Sequence, residues 1–226
     1  MLDPERVRSN LARVRDEVDE AAARAGRAPG SVSILAAVKY LEAADLPALR
    51  EGGVTLVGEN RVEQLLAKQR PDDGFEWDFI GQLQSRKARE LVGRTRLIHS
   101  ISSLSACERL ERFAGGPIDC LLEVNVSGEE SKAGVAPSQV DAFLEAVEPL
   151  AKIRFSGLMT MPPFTATAEA SRAAFARLRE LEAALEGRVS ARHRFIELSM
   201  GTSQDYVIAA AEGATIVRVG TTLFRD

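Results

Sequence analysis

The chain has only two cysteines, Cys107 and Cys120, and two histidines, His99 and His193. They form neither a C-x-x-C pair nor a cluster with ligand spacing, so no disulfide framework and no structural metal site is expected. No run approaches the ~18 consecutive apolar residues of a spanning helix. The opening Met1-Leu2-Asp3-Pro4-Glu5-Arg6 lacks the apolar core of a signal peptide, so a cytoplasmic protein that does not engage membranes is expected. Long basic runs are missing too. With 29 Lys+Arg against 33 Asp+Glu the net charge is −4, which argues against a nucleic-acid partner. Neither G-x-G-x-x-G nor G-x-x-x-x-G-K-[ST] occurs, which removes the fingerprint that an open doubly wound sheet would carry. Linkers and low-complexity segments are absent, so residues 1–226 are expected to form one domain.

What is present is ordinary soluble composition, 45% hydrophobic and 27% charged over 226 residues. A chain of this length buries roughly 70% of its unfolded surface and needs no staples. Val7, Leu11, Val14 and Val18 recur at helical spacing behind Asp3-Pro4, which suits an N-cap and first helical position, so a helix opens the chain. It should stop near Gly26. Short apolar runs then predict strands at 33–38, 54–57, 78–81, 97–101, 119–126, 154–159, 195–199 and 215–219. Helical patterns lie between them at 60–70, 84–92, 103–114, 137–150, 169–186 and 203–212. Runs as uniformly apolar as Cys120-Leu121-Leu122-Glu123-Val124-Asn125-Val126 suit parallel strands covered on both faces. Eight units of about 28 residues match the ~30 of a βαβ repeat. The expected fold is therefore α/β, a single (β/α)8 TIM-type barrel with an additional N-terminal helix. That helix would cover the gap left because residues after strand 8 are too few for a closing helix.

Functional groups in such barrels gather at the C-terminal ends of the strands. Lys39 directly follows the first apolar run, and an amine at a partly desolvated mouth can form a Schiff base with an aldehyde. A lysine snorkelling from a strand end is the plain alternative. Ser199-Met200-Gly201-Thr202-Ser203 follows strand 7 and Gly220-Thr221-Thr222 follows strand 8. These are the two loops where such barrels bind phosphate, and small residues there let backbone N–H groups approach an anion. By period two, Arg218 shares a face with Ile216 and Gly220 and points into the barrel. A buried guanidinium needs an acceptor: a carboxylate such as Glu123, or a ligand ring nitrogen. An amine, a phosphate cradle and an inward cation together describe pyridoxal 5'-phosphate.

The sequence also resembles the pyridoxal-phosphate-binding homeostasis proteins, whose barrel is similar to the N-terminal domain of alanine racemase. The resemblance runs over nearly the whole chain. It rests on Ala37-Val38-Lys39, Val57-Gly58-Glu59-Asn60, Trp77-Asp78-Phe79-Ile80-Gly81-Gln82-Leu83-Gln84-Ser85-Arg86-Lys87 and Glu123-Val124-Asn125-Val126. It continues through Ser131-Lys132-Ala133-Gly134, Gly157-Leu158-Met159, Leu198-Ser199-Met200-Gly201 and Val217-Arg218-Val219-Gly220-Thr221. It implies that Lys39 is the aldimine lysine and that Arg218 faces the pyridine nitrogen. Ser199, Gly201, Gly220 and Thr221 would hold the phosphate, and Asn60 would be a further pocket contact. It also implies a cofactor-binding regulator of vitamin B6 balance, expected to be monomeric, with apo forms of pyridoxal-phosphate enzymes as partners.

Departures from the family pattern are Asp78 where histidine is usual, Arg86 for asparagine, Tyr40 for threonine, Gln204 for aspartate and Arg225 for glycine. Most are expected at the edge of the pocket. Trp77 and the methionines Met159, Met161 and Met200 read as packing, and His99 as a hydrogen-bonded barrel histidine. Helix 169–186 reads as a solvated outer face, with Glu182 and Glu186 near Arg179 and Arg188. Tyr40 should point away from Lys39 by strand alternation. The competing function classes are a racemase-like enzyme and a class I aldolase acting on a phosphorylated sugar. Racemisation needs a second acid/base across the cofactor plane, and a guanidinium at the pyridine nitrogen weakens the ring as an electron sink. No catalytic residue is therefore assigned.

Overall fold

Parallel strands joined by helical crossovers cannot leave their apolar faces wet, and in this chain the sheet closes on itself. The computed structural model describes residues 2–128, 133–162, 166–185 and 187–224. The strands β1 (Ser33–Ala37), β2 (Leu56–Glu59), β3 (Glu76–Phe79), β4 (Leu97–Ile101), β5 (Ile118–Glu123), β6 (Ile153–Met159), β7 (Glu197–Thr202) and β8 (Ile216–Val219) pair in chain order. All are parallel, and β8 closes on β1 through Ser33↔Ile216 to Ala36↔Val219. Around them lie α1 (Pro4–Arg24), α2 (Leu46–Glu51), α3 (Val62–Lys68), α4 (Ala88–Leu91), α5 (Leu104–Phe113), α6 (Val140–Val147), α7 (Ala168–Leu185), α8 (Tyr206–Ala211) and α9 (Thr221–Phe224). The closed barrel and its opening helix match the sequence expectation.

Helix α1 starts where Asp3 accepts the Glu5 N–H at 3.0 Å and Pro4 supplies a helical φ without needing a donor. It buries Val7, Val14, Val18, Ala21 and Ala22 against α8, α9 and α2. The seam between β8 and β1 is thereby covered. Two apolar layers result. The larger fills the space between strands and helices, and a smaller one, Leu35, Leu56, Leu97, Leu121, Met159 and Ile216, fills the barrel itself. Fully burying one such side chain contributes about 1.5–3 kcal/mol.

Several boundaries differ from the sequence reading. Strand 2 lies two residues later than 54–57, because Val54 packs in the preceding turn and Glu59 is drawn into the strand end by a buried lysine. Strand 3 spans Glu76–Phe79 rather than 78–81, and strand 5 ends at Glu123, with Val124 only bridging to Val135. Segments 84–92 and 137–150 each begin with a 3-10 turn, Ser85–Lys87 and Pro137–Gln139. Helix α2 and the turn before it were not anticipated, since Pro47 in so short a segment hides any period. A one-turn helix, α9, does follow β8, which corrects the expectation that no helix could. Arg179 on α7 pairs with Glu212 at 2.8 Å, and Arg188, beyond the end of α7, pairs with Asp141 at 2.7 Å and donates to the Ala184 carbonyl at 3.3 Å. Glu186 lies outside the described residues. Among the described residues, no helix is long and apolar enough to cross a membrane.

Candidate functional site

The order of the barrel makes β7, β8, β1 and β2 four neighbours, so the residues at their C-terminal ends share one arc of the rim. Lys39, Asn60, Gly201, Gly220 and Thr221 all belong to that arc. Strand β1 stops at Ala37, which places Lys39 on the turn beyond it rather than at the strand end. Its side chain is exposed, so the partly desolvated amine expected from sequence is not what the structure shows. The Lys39 ammonium lies 4.9 Å from the centre of the Tyr40 ring, a cation–π contact. Tyr40 therefore does not point away: strand alternation no longer applies once the chain has left the strand.

The turn is anchored from beneath. Lys68 on α3 is buried, donating to the Val38 carbonyl at 2.9 Å and to Glu59 Oε1 at 2.7 Å. The other Glu59 oxygen accepts the Asn60 N–H at 2.5 Å and the Arg61 N–H at 3.3 Å. One buried ion pair thus fixes the backbone beside two rim residues, Lys39 and Asn60. Gly81 presses on the Asn60 backbone, and a Cβ there would stand 2.0 Å from the Asn60 carbonyl oxygen.

The two small-residue loops are stitched together. Ser203 Oγ accepts the Gly220 N–H at 3.0 Å, and Thr202 is held by Asp205 Oδ1 through its N–H at 2.7 Å and its hydroxyl at 3.1 Å. Asp205 Oδ2 takes the Ser171 hydroxyl at 3.1 Å, so this carboxylate is spoken for on both oxygens. Gly201 adopts φ 91°, where a side chain is strained, and its Cβ would meet Ala209 at 2.5 Å. The register between β7 and β8 slips at this point, turning the chain off the barrel. Gly220 and Thr221 are half-buried at the rim.

Gly201 and Thr202 are the last residues of β7, and Ser199 lies deeper in the same strand and is fully buried, set back from the rim, which corrects the expectation that it belongs to the loop. Its hydroxyl accepts from Arg218 Nη1 at 2.8 Å and contacts His99 Nδ1 at 2.8 Å. Arg218 points inward, as its period-two face requires, and donates also to the Ser199 carbonyl at 3.1 Å and the Thr160 carbonyl at 2.9 Å. No ion pair to Glu123 forms; the Ser199 hydroxyl and two backbone carbonyls serve as its acceptors. Burial lowers the Arg218 pKa to about 10, against the pull of Glu123 and Asp205, and leaves it cationic at neutral pH. Burial pushes the Glu123 carboxyl up, opposed by its hydrogen bond from Gln82 and by Arg218.

Asp78 is not at a pocket edge. It is fully buried, held by Arg96 through Nε at 3.1 Å and Nη2 at 2.5 Å, and by His99 Nε2 at 3.0 Å. Of the other departures, Arg86 bonds Gln84 and Gln204 is exposed, while Arg225 lies outside the described residues, as do Ser131 and Lys132. Trp77 packs as expected, its indole N–H on Asp73 at 3.0 Å. Met161 does not pack; it is 57% exposed. Sequence reasoning missed the Glu59–Lys68 pair and Ser203. The first has a faint signal, two opposite charges nine positions apart in an otherwise amphipathic segment. A cleft of about 720 Å³ on the barrel flank, lined by Leu46, Pro47, Arg50, Lys68 and Phe75, lies apart from the arc. Size alone does not make it the site, because the convergent polar groups are on the rim.

The family model described as alanine racemase, N-terminal domain, matches residues 4–226. The pyridoxal phosphate homeostasis protein of Pseudomonas aeruginosa is 42% identical over 223 residues, covering 96% of this chain and 94% of that one. Its namesake in Aquifex aeolicus is 38% identical, covering 96% of each chain. The structure of PipY from Synechococcus elongatus with PLP bound superposes with a TM-score of 0.83 at 35% identity, covering 97% of this chain and all of that one. Alanine racemase from Corynebacterium glutamicum shares the fold alone, with a TM-score of 0.69 at 14% identity, over 99% of this chain and 61% of that one. The chain belongs to the alanine racemase N-terminal-domain family and, within it, to the pyridoxal phosphate homeostasis proteins.

Proposed function

We propose that this protein binds pyridoxal 5'-phosphate and serves its homeostasis, holding the cofactor and releasing it to apo forms of the enzymes that use it. The observation that carries this reading is the β7–β8–β1–β2 arc, which brings together an accessible amine, two glycine-bearing loops and an inward guanidinium. These match the three handles of the cofactor: aldehyde, phosphate and ring nitrogen. When bound, the cofactor supplies an aldehyde that condenses with a primary amine, releasing one water. Lys39 is the amine we assign to it. Gly201, Gly220 and Thr221 hold the phosphate: the two glycines leave room for an anion beside the backbone, where it would compete with Ser203 Oγ for the Gly220 N–H, and Thr221 adds its hydroxyl. Arg218 donates to the ring nitrogen, Asn60 lines the pocket, and Ser199 serves through Arg218.

His99 cannot act as an external acid or base, since it is fully buried and both its ring nitrogens are engaged. Tyr40, packed on the Lys39 ammonium, is the group through which turnover would show. Borohydride reduction of cofactor-loaded protein followed by peptide mass mapping should place the label on Lys39. A protein that stays colourless with pyridoxal phosphate, or label confined to Lys87, would remove the assignment. Amino-acid α-hydrogen exchange far above the free-cofactor rate, lost in Tyr40→Phe, would replace the carrier with an enzyme.

A further inference from the structure

Strands β4 and β7 are separated around the barrel by β5 and β6, yet His99 and Ser199 lie 2.8 Å apart. Their contact therefore spans the barrel interior, where four polar side chains, Asp78, His99, Ser199 and Arg218, are buried together. The direction of every hydrogen bond in this column is forced. The Asp78 carboxylate, gripped at two points by Arg96, can only accept, so His99 Nε2 carries the proton between them. Burial holds His99 below the ordinary imidazole range despite Asp78, so the ring is neutral and Nδ1 is bare. Nδ1 must then accept, and the Ser199 hydroxyl is the donor that reaches it. The serine lone pairs are left for Arg218, which has donors only.

We propose that Asp78, His99 and Ser199 are positioning residues forming a one-directional relay that fixes the Arg218 guanidinium for its ligand, with Arg96 anchoring the far end. The target of that guanidinium, the ring nitrogen, rests on the reading given above; the relay itself does not. Its physical role is to hold one geometry. It sets which donors of Arg218 are used internally, and it ties the guanidinium through Ser199 and His99 to an Asp78 carboxylate that Arg96 pairs at the far end. Arg96 is half-exposed, its side chain 38% accessible, so the relay runs from a wetted end of the barrel to the candidate site.

Nitrogen-resolved NMR of His99 in ligand-free protein, assigned by its loss in His99→Gln, tests the relay without any cofactor. A neutral ring with its proton on Nε2 is expected at neutral pH; a proton on Nδ1, or a doubly protonated ring, would overturn it. Binding of pyridoxal phosphate and of its benzene analogue, with C–H in place of the ring nitrogen, is then compared in wild type, Asp78→Asn and Ser199→Ala. Wild type should prefer pyridoxal phosphate, and the variants should lose about tenfold in that preference. Ser199→Ala retains the backbone carbonyl that Arg218 uses and so reports even if Asp78→Asn fails to fold. Preference kept intact in both variants sinks the relay while sparing the ring-nitrogen reading. No preference in wild type sinks the ring-nitrogen reading, and with it the stated target of the relay.

Discussion

Two buried polar assemblies support the rim, and they differ in kind. The Glu59–Lys68 pair lies outside the barrel wall and is closed: each charge meets the other, and their remaining bonds go to the backbone at Val38, Asn60 and Arg61. The Asp78–His99–Ser199–Arg218 column lies inside the wall and ends on the buried Arg218 guanidinium. A closed pair holds backbone in place and offers a ligand nothing. A column of side chains holds the Arg218 side chain in place, the one to which the proposed function gives the ring nitrogen. The difference lies in what each one serves: scaffold for the pair and, on the function proposed, recognition for the column.

The comparison breaks most visibly by removing one member of the closed pair. Lys68→Met leaves Glu59 buried and uncompensated, and chemical denaturation should show a loss of about 3–5 kcal/mol, largely regained in Lys68→Met/Glu59→Gln. A loss below about 1 kcal/mol would mean that the pair is solvated and not a scaffold. Smaller effects should separate the two ways of touching the ligand. Thr221→Ala should weaken pyridoxal phosphate by about 1.5–3 kcal/mol and hardly affect unphosphorylated pyridoxal. Ser199→Ala, acting through Arg218, should weaken both alike. Equilibrium dialysis with the two ligands decides, and equal losses for Thr221→Ala would take it off the phosphate.

The smallest effect is on acid stability. Burial holds both His99 and His193 below the ordinary imidazole range, so the unfolded chain takes up protons that the folded chain refuses. Stability therefore rises with pH below about pH 6.5 and falls as acid enters that window, by at most about 1.4 kcal/mol per pH unit for each ring. Denaturation midpoints followed from about pH 6.5 down to about pH 5.5 should flatten in His99→Gln. An unchanged slope would show that His99 titrates normally.

Legibility of the molecule followed sequence distance. The strands of the barrel and the opening helix could be read because each announces itself within a few residues, in runs such as Leu121-Leu122 or the spacing of Val7, Val14 and Val18. Arg218 was read as inward because period two is local. Boundaries failed where a distant partner decided them: Glu59 joins β2 only because Lys68 neutralises it, and Ser199 leaves the phosphate loop because His99 and Arg218 claim its hydroxyl. Asp78 looked like an edge residue for the same reason, since nothing near it in the chain announces Arg96 or His99.

The sequence by itself determined the alternation of strand and helix, the closed parallel barrel, the family, and the residue types able to meet an aldehyde, a phosphate and a ring nitrogen. Periodicity and composition are one-dimensional properties, and those conclusions needed no more. Tertiary structure alone decided that four strand ends share one arc, that Tyr40 lies on Lys39, and that a polar column crosses the barrel. The arc and the column depend on atoms brought within a few ångströms from far along the chain, as with His99 and Ser199, one hundred positions apart, and the Tyr40 contact depends on where β1 ends. Hydrogen bonds act only at such distances, so the column exists only once the barrel has closed.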